Sequence, residues 1–264
     1  GNAYHNLGQL DAAIQDYNES IRINSEYADA FSDRGLAYQA LGQHEEAIRD
    51  YEQAILLNPQ NSRSYYNRAN NYLALRNYEQ AIEDYGQAIA LNPSYVDAYN
   101  NRGNAYSSLD QLESAISDYS QAIRLNPRDN IAYRNRGLAY HNLEQYGRAL
   151  KHEEEGPNLP SGDNETVGGN SWPINVHLIE QAISDYAEAI KLNPEDPVIH
   201  LNIGNAYLSL GKHEEAINSY TESIKLDPND ARSYYSRGFT YSETGKTDEA
   251  EKDFERAKEL GVGH

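Results

Sequence analysis

Eight histidines and a large excess of carboxylates offer metal-binding and acid–base chemistry, and their spacing decides against both. The stretch from His44 to Ile48, and its near copy from His213 to Ile217, begin like the zinc-protease helix motif. Ile48 and Ile217 then stand where a second His, one helical turn on, would complete the pair of ligands. His5, His141, His177 and His200 show no ligand spacing, and the absence of Cys excludes disulfides, thiolate ligands and thiol nucleophiles. No Ser, His and Asp arrangement stands out, and no glycine-rich loop is present to cradle a phosphate. The expectation is therefore no catalytic residues, no metal and no cofactor.

Spacing of another kind does recur. Pro59, Pro93 and Pro127 are 34 residues apart, as are Pro194 and Pro228. Setting that proline at position 32 of a unit makes 28–61, 62–95, 96–129, 197–230 and 231–264 full repeats and 1–27 a truncated one. Tyr then falls at position 11 in every unit, from Tyr4 to Tyr241. Position 24 holds Tyr17, Tyr51, Tyr85, Tyr119, Tyr186, Tyr220 and Phe254. Most of the 23 tyrosines are thus periodic and structural. Arg34, Arg68, Arg102, Arg136 and Arg237 share position 7, and Asp50, Asp84, Asp118, Asp185 and Asp253 share position 23. In the unit from 197 both change together, to Ile203 and Ser219, as expected of a partly buried ion pair across a hairpin.

The elements that must position these residues follow from periodicity. In the unit from 28 to 61, apolar residues recur at three- and four-residue steps, stop at Gly42 and resume to Leu57 before Asn58-Pro59, which predicts two helices and a tight turn. Small residues at position 8 (such as Gly35 and Gly204) and at position 20 (such as Ala47 and Ala216) let the helices approach closely. The fold class is all-α, and an apolar content of 39% with a net charge of −19 argues for a thin, elongated array over a single thick core.

Aromatic at 4, small at 8, Tyr at 11, Ala at 20, aromatic at 24, Ala at 27 and Pro at 32 closely resembles the tetratricopeptide repeat. The resemblance covers about seven repeats, nearly the whole chain. It implies a right-handed α-solenoid superhelix whose first helices line a concave groove, with positions 2, 5, 6, 9, 12 and 13 facing it. Those positions carry Asn67, Asn101, Asn135 and Asn202 (6), Asn70, Asn104 and Asn205 (9), and Tyr66 and Tyr235 (5). Each Asn has one acceptor and two donor hydrogens, so the set predicts a groove that grips an extended peptide by its backbone. In this the groove is similar to the superhelix of O-linked N-acetylglucosamine transferases. The carboxylate clamp of chaperone-binding members is incomplete, because the cations that should flank Asn70, Asn101 and Asn135 are missing.

The interval from Pro127 to Pro194 is one repeat too long by 33 residues. Three segments are expected: repeats through the first helix of the fifth unit over 1–146, an inserted and partly disordered loop over 147–179, and from 180 to 264 the helix that completes the unit plus two further repeats. Trp172, the only Trp, is the candidate anchor of that loop. A rival reading gives the second helix to the stretch from Gln145 to Glu155, but it offers Glu153 where Tyr is expected. Glu251 and Lys258, at positions otherwise mostly apolar or small, predict a polar cap at the end of the array.

The function expected is a non-enzymatic interaction scaffold that holds a protein or peptide segment. The alternative is the substrate-recruiting arm of a larger, glycosyltransferase-like enzyme whose catalytic domain lies outside this chain. The start at Gly1, without Met or a leader, reads as a fragment of an intracellular protein. The acidity disfavours nucleic acid and suits a basic partner, and no apolar run is long enough for membrane insertion.

Overall fold

The computed structural model describes residues 1–155 and 174–262, with side chains left out of the description from 148 to 155. Among the described residues there are fourteen α-helices and no strand. They fall into two compact units, 1–125 and 126–264. The first holds α1 (Asn2–Asn6), α2 (Leu10–Ile23), α3 (Ala28–Ala40), α4 (His44–Leu57), α5 (Ser62–Ala74), α6 (Tyr78–Leu91), α7 (Val96–Ser108) and α8 (Leu112–Leu125). The second holds α9 (Asn130–Glu155), α10 (Val176–Leu192), α11 (Pro197–Ser209), α12 (His213–Leu226), α13 (Ala231–Glu243) and α14 (Thr247–Glu259).

Within each unit the helices pack as hairpins, α1 with α2 through α7 with α8 and α9 with α10 through α13 with α14, and each hairpin packs on the next. The chain reverses at position 15, where Gly8, Gly42, Arg76, Asp110, Gly211 and Gly245 take φ between 56 and 76°. An Asn or Asp before the proline closes four of the pairs: Asn58, Asn92, Asn126 and Asp227 accept through Oδ1 from the backbone N–H two residues on, at 3.0–3.3 Å.

Inside a hairpin, the ring at position 24 lies flat against position 8. A Cβ added to Gly103, Gly137 or Gly204 would sit 2.7, 2.9 and 2.6 Å from Tyr119, Tyr186 and Tyr220. Those three rings are buried, as are the alanines at position 20. Beside each contact the Arg at position 7 meets the Asp at position 23 in a two-pronged bond, with Nε and Nη2 at 2.6–2.8 Å from the carboxylate. The pairs are Arg34–Asp50, Arg68–Asp84, Arg102–Asp118, Arg136–Asp185 and Arg237–Asp253. Four of the five guanidiniums lie between two aromatic rings, those of positions 4 and 11, at 5.7–5.9 Å. Tyr133 flanks Arg136 at 5.8 Å. The unit from 197 lacks the whole assembly, with His200, Ile203 and Ser219 at positions 4, 7 and 23.

The expectation of a loop over 147–179 is corrected at both ends. α9 runs on to Glu155 and α10 starts at Val176, so 147–155 and 176–179 are helical. Position 15 of this unit is Glu144, which stays helical where the other units reverse. Its side chain is 2% exposed, and Oε1 accepts from the Asn175 N–H at 3.3 Å, tying α9 to the approach of α10. The rival reading fails because Gln145 to Glu155 prolong α9, and α10 supplies Asp185 to Arg136. Trp172 and the remainder of the insertion lie outside the described residues.

Two stability outcomes follow from this packing. Gly204→Ala forces the Tyr220 ring to move and is expected to cost about 1–3 kcal/mol, whereas Gly86→Ala, whose Cβ would meet only Arg102 at 3.6 Å, gains up to about 1 kcal/mol of helix propensity. Urea unfolding of the two variants checks the contrast. Asp118→Asn leaves the Arg102 guanidinium, which is about four-fifths buried, without its counter-charge, and is expected to lose about 3 kcal/mol. The double change Arg102→Ile with Asp118→Ser, copying the unit from 197, recovers most of that in a thermal melt.

Candidate peptide-binding faces

The asparagines expected on the groove do two jobs. At position 9 the carbonyl belongs to the hairpin: Tyr85, Tyr119 and Tyr220 donate their hydroxyls to Oδ1 of Asn70, Asn104 and Asn205 at 2.6, 2.8 and 2.9 Å. Tyr17 does the same to Asn2 at 2.6 Å. With Oδ1 engaged, the amide of Asn205 has no protein acceptor among the described residues, whereas the Asn70 amide bears on the Tyr66 hydroxyl. Where position 9 is Leu36 or Leu138, the buried hydroxyls of Tyr51 and Tyr186 have no hydrogen-bond partner. Burial pushes both phenols well above their ordinary value, with the negative charge of Asp185 adding to it at Tyr186 and the positive charge of Arg63 opposing it at Tyr51. In the last unit position 24 is Phe254, which needs no acceptor, and position 9 is Phe239.

This pairing is the signal that sequence reasoning missed. Asn or Leu at position 9 was legible as a pattern, but only the hairpin register shows that its partner is the Tyr fifteen residues on.

In the first unit the residues at positions 5, 6 and 9 join in one network. Asn101 Nδ2 donates to the Tyr66 hydroxyl at 3.2 Å and to Asn70 Oδ1 at 3.1 Å. Tyr66 stacks on Tyr95 with centroids 4.6 Å apart and tilts against Tyr85 at 5.8 Å. Burial raises the Tyr66 and Tyr95 phenols, Tyr95 to about 12. Asn67 is only 7% exposed and contributes to packing more than to surface. In the second unit Asn135, Asn202 and Asn205 are half-buried on α9 and α11, and Tyr235 is exposed on α13 against the Phe254 ring at 5.6 Å. The histidines at position 17 serve as bridges to the next hairpin: His44 Nδ1 lies 2.8 Å from Asn71 Oδ1, and His213 lies 3.4 Å from Glu243. Among the described residues no group of three or more His, Asp or Glu side chains could hold a metal ion, and no helix is long and apolar enough to cross a membrane.

Family models agree with this architecture. One described as a TPR repeat matches 1–42, 69–110, 179–211 and 204–245. Others described as tetratricopeptide repeats match 28–61 and 96–129, 50–83, and 231–260. The chain belongs to the tetratricopeptide repeat family. Solved structures of tetratricopeptide proteins share the fold at low identity. YrrB, described as a TPR protein with an unusual peptide-binding site, is 18% identical at a TM-score of 0.62, over 84% of this chain and 97% of its own. PilF of Pseudomonas aeruginosa is 18% identical at 0.65, over 91% and 94%. MamA is 22% identical at 0.58, over 73% and 93%. No curated protein is significantly similar to the chain.

The hydroxyl pairing makes two tetratricopeptide tyrosines behave oppositely. Tyr186→Phe removes a buried hydroxyl that has no partner and is expected to leave stability unchanged or raised, whereas Tyr85→Phe breaks a bond to Asn70 and loses about 1 kcal/mol. Denaturant midpoints of the two variants decide it.

Proposed function

We propose that this tetratricopeptide chain is a non-catalytic scaffold that binds an extended peptide segment of another protein along its first-helix faces. The observation that carries the reading is the division of labour in the position-9 asparagines. Their carbonyls are used by the hairpin, which fixes the rotamer, and at Asn205 the amide donors are left to meet the carbonyls of a peptide. Tyr66 and Tyr235 add aromatic contact area with little conformational freedom to lose. The similarity in fold to YrrB, whose description names a peptide-binding site, supports the same use of the fold. A net charge of −19 favours a cationic segment over nucleic acid or an acidic tail.

The test exploits the divided amide. Asn70→Asp with Asn205→Asp keeps an acceptor for Tyr85 and Tyr220 and removes the donors. Proteins retained from cell extract by the parent chain are identified by mass spectrometry, and the bound segment is titrated calorimetrically as a synthetic peptide against both chains. The variant is expected to melt like the parent and to bind about tenfold more weakly, equivalent to about 1.4 kcal/mol. Equal affinity would move the binding surface off the first-helix faces.

A further inference from the structure

A cavity of about 250 Å³ lies in the first unit, lined by Asn2, His5, Asn6, Tyr17, Asp33, Leu36 and Arg63. Six of these lie where α1, α3 and the start of α5 present positions 2, 6, 9, 12 and 13 of three successive repeats, and the buried Tyr17 ring belongs to α2 behind them. The volume is below that of a pocket for a drug-sized molecule, and suits a single long side chain. Position 6 is Asn in four of the other units and Ser236 in the last, but here it is a carboxylate, Asp33.

From this lining we propose that the cavity is a subsite for the side chain of an Arg or Lys in the bound segment, with Asp33 as its counter-charge. This deepens the peptide-binding reading and rests on it. Asp33 is half-buried and has no hydrogen-bond or ion-pair partner among the described residues. Nε2 of His5 is buried without a partner and accepts from a donor when the proton sits on Nδ1. Asn2 Oδ1 already accepts from Tyr17 and, with the Asn6 carbonyl, offers further lone pairs. Burial, and after it Asp33 and Asp16, push the Tyr17 phenol up, so the inner wall of the cavity senses negative charge. The one cation of the lining, Arg63, is exposed and makes no ion pair among the described residues, so its long side chain can turn outward when a second cation enters.

The probe is N-acetyl-arginine amide, titrated into the full chain while NMR follows the His5 imidazole and Tyr17 ring signals, with N-acetyl-glutamate amide as control. A saturable shift is expected with the arginine amide and none with the glutamate amide. Asp33→Asn weakens binding about fivefold or more, and Arg63→Gln leaves it equal or tighter. Added salt weakens it as well. Binding of this probe should persist in the Asn70→Asp, Asn205→Asp chain, since it needs no backbone grip, which separates failure of the subsite from failure of the peptide reading. No saturable shift, a shift that survives Asp33→Asn, or a preference for the glutamate amide that Arg63→Gln abolishes overturns the proposal.

Discussion

The contact on which each hairpin depends is the aromatic ring of the second helix lying on a residue without a large side chain in the first. It fixes how close the two helices come, since a Cβ at Gly103 or Gly204 would already collide with the ring. It also fixes register. Once ring 24 covers position 8, position 7 must face position 23 and position 9 must face the hydroxyl. The Arg–Asp bond on one side and the Asn–Tyr bond on the other are therefore consequences of one packing event, recurring because the 34-residue period recurs. The energetic order follows. The ring and its alanine neighbours are buried in full and supply the hydrophobic gain, while the polar bonds chiefly avoid the cost of burying unpaired groups.

The repeats show which of these parts is dispensable. The unit from 197 has lost Arg, Asp and the aromatic of position 4 together and packs Ile199 and Ile203 in a buried cluster, so an apolar solution replaces a charged one at the same place. Units with Leu36 and Leu138 give up the hydroxyl acceptor and keep the ring. No unit gives up both the small residue and the ring. Because stability in such arrays is a sum over hairpins and their neighbours, a local loss is tolerated so long as adjoining interfaces hold.

Most of the fold was legible because its signals are local and repeated. Pro, Gly and Tyr at fixed offsets give hairpins of defined length, and covariation of positions 7 and 23 named the ion pairs before any geometry was known. Glu144 was not legible. A glutamate at position 15 is a good helix former, yet Arg76 and Asp110 reverse the chain there in other units, so residue type alone does not tell reversal from continuation. What decides is tertiary, since the Glu144 carboxylate is buried against the approach of α10. The position-9 asparagines were assigned to a surface by family resemblance, and half of each side chain belongs to the interior. Asn67 was expected on the same surface and is almost wholly buried.

That half-commitment bears on how such a face recognises anything. A free asparagine on a surface samples several rotamers and presents donor or acceptor as the ligand demands, at an entropic cost on binding. Holding Oδ1 against a buried tyrosine removes both choices, so Asn70 and Asn205 present donors in a fixed direction. In the proposed reading, a donor fixed in this way meets a carbonyl of an extended chain and carries no information about its side chains. In that reading, sequence preference comes from accessible positions where repeats differ, such as Tyr66 and Tyr235 at position 5, or Asp33 among the asparagines of position 6. In the proposed reading the recurring geometry of the hairpin sets how a segment lies, and the departures from the repeat set which segment it is.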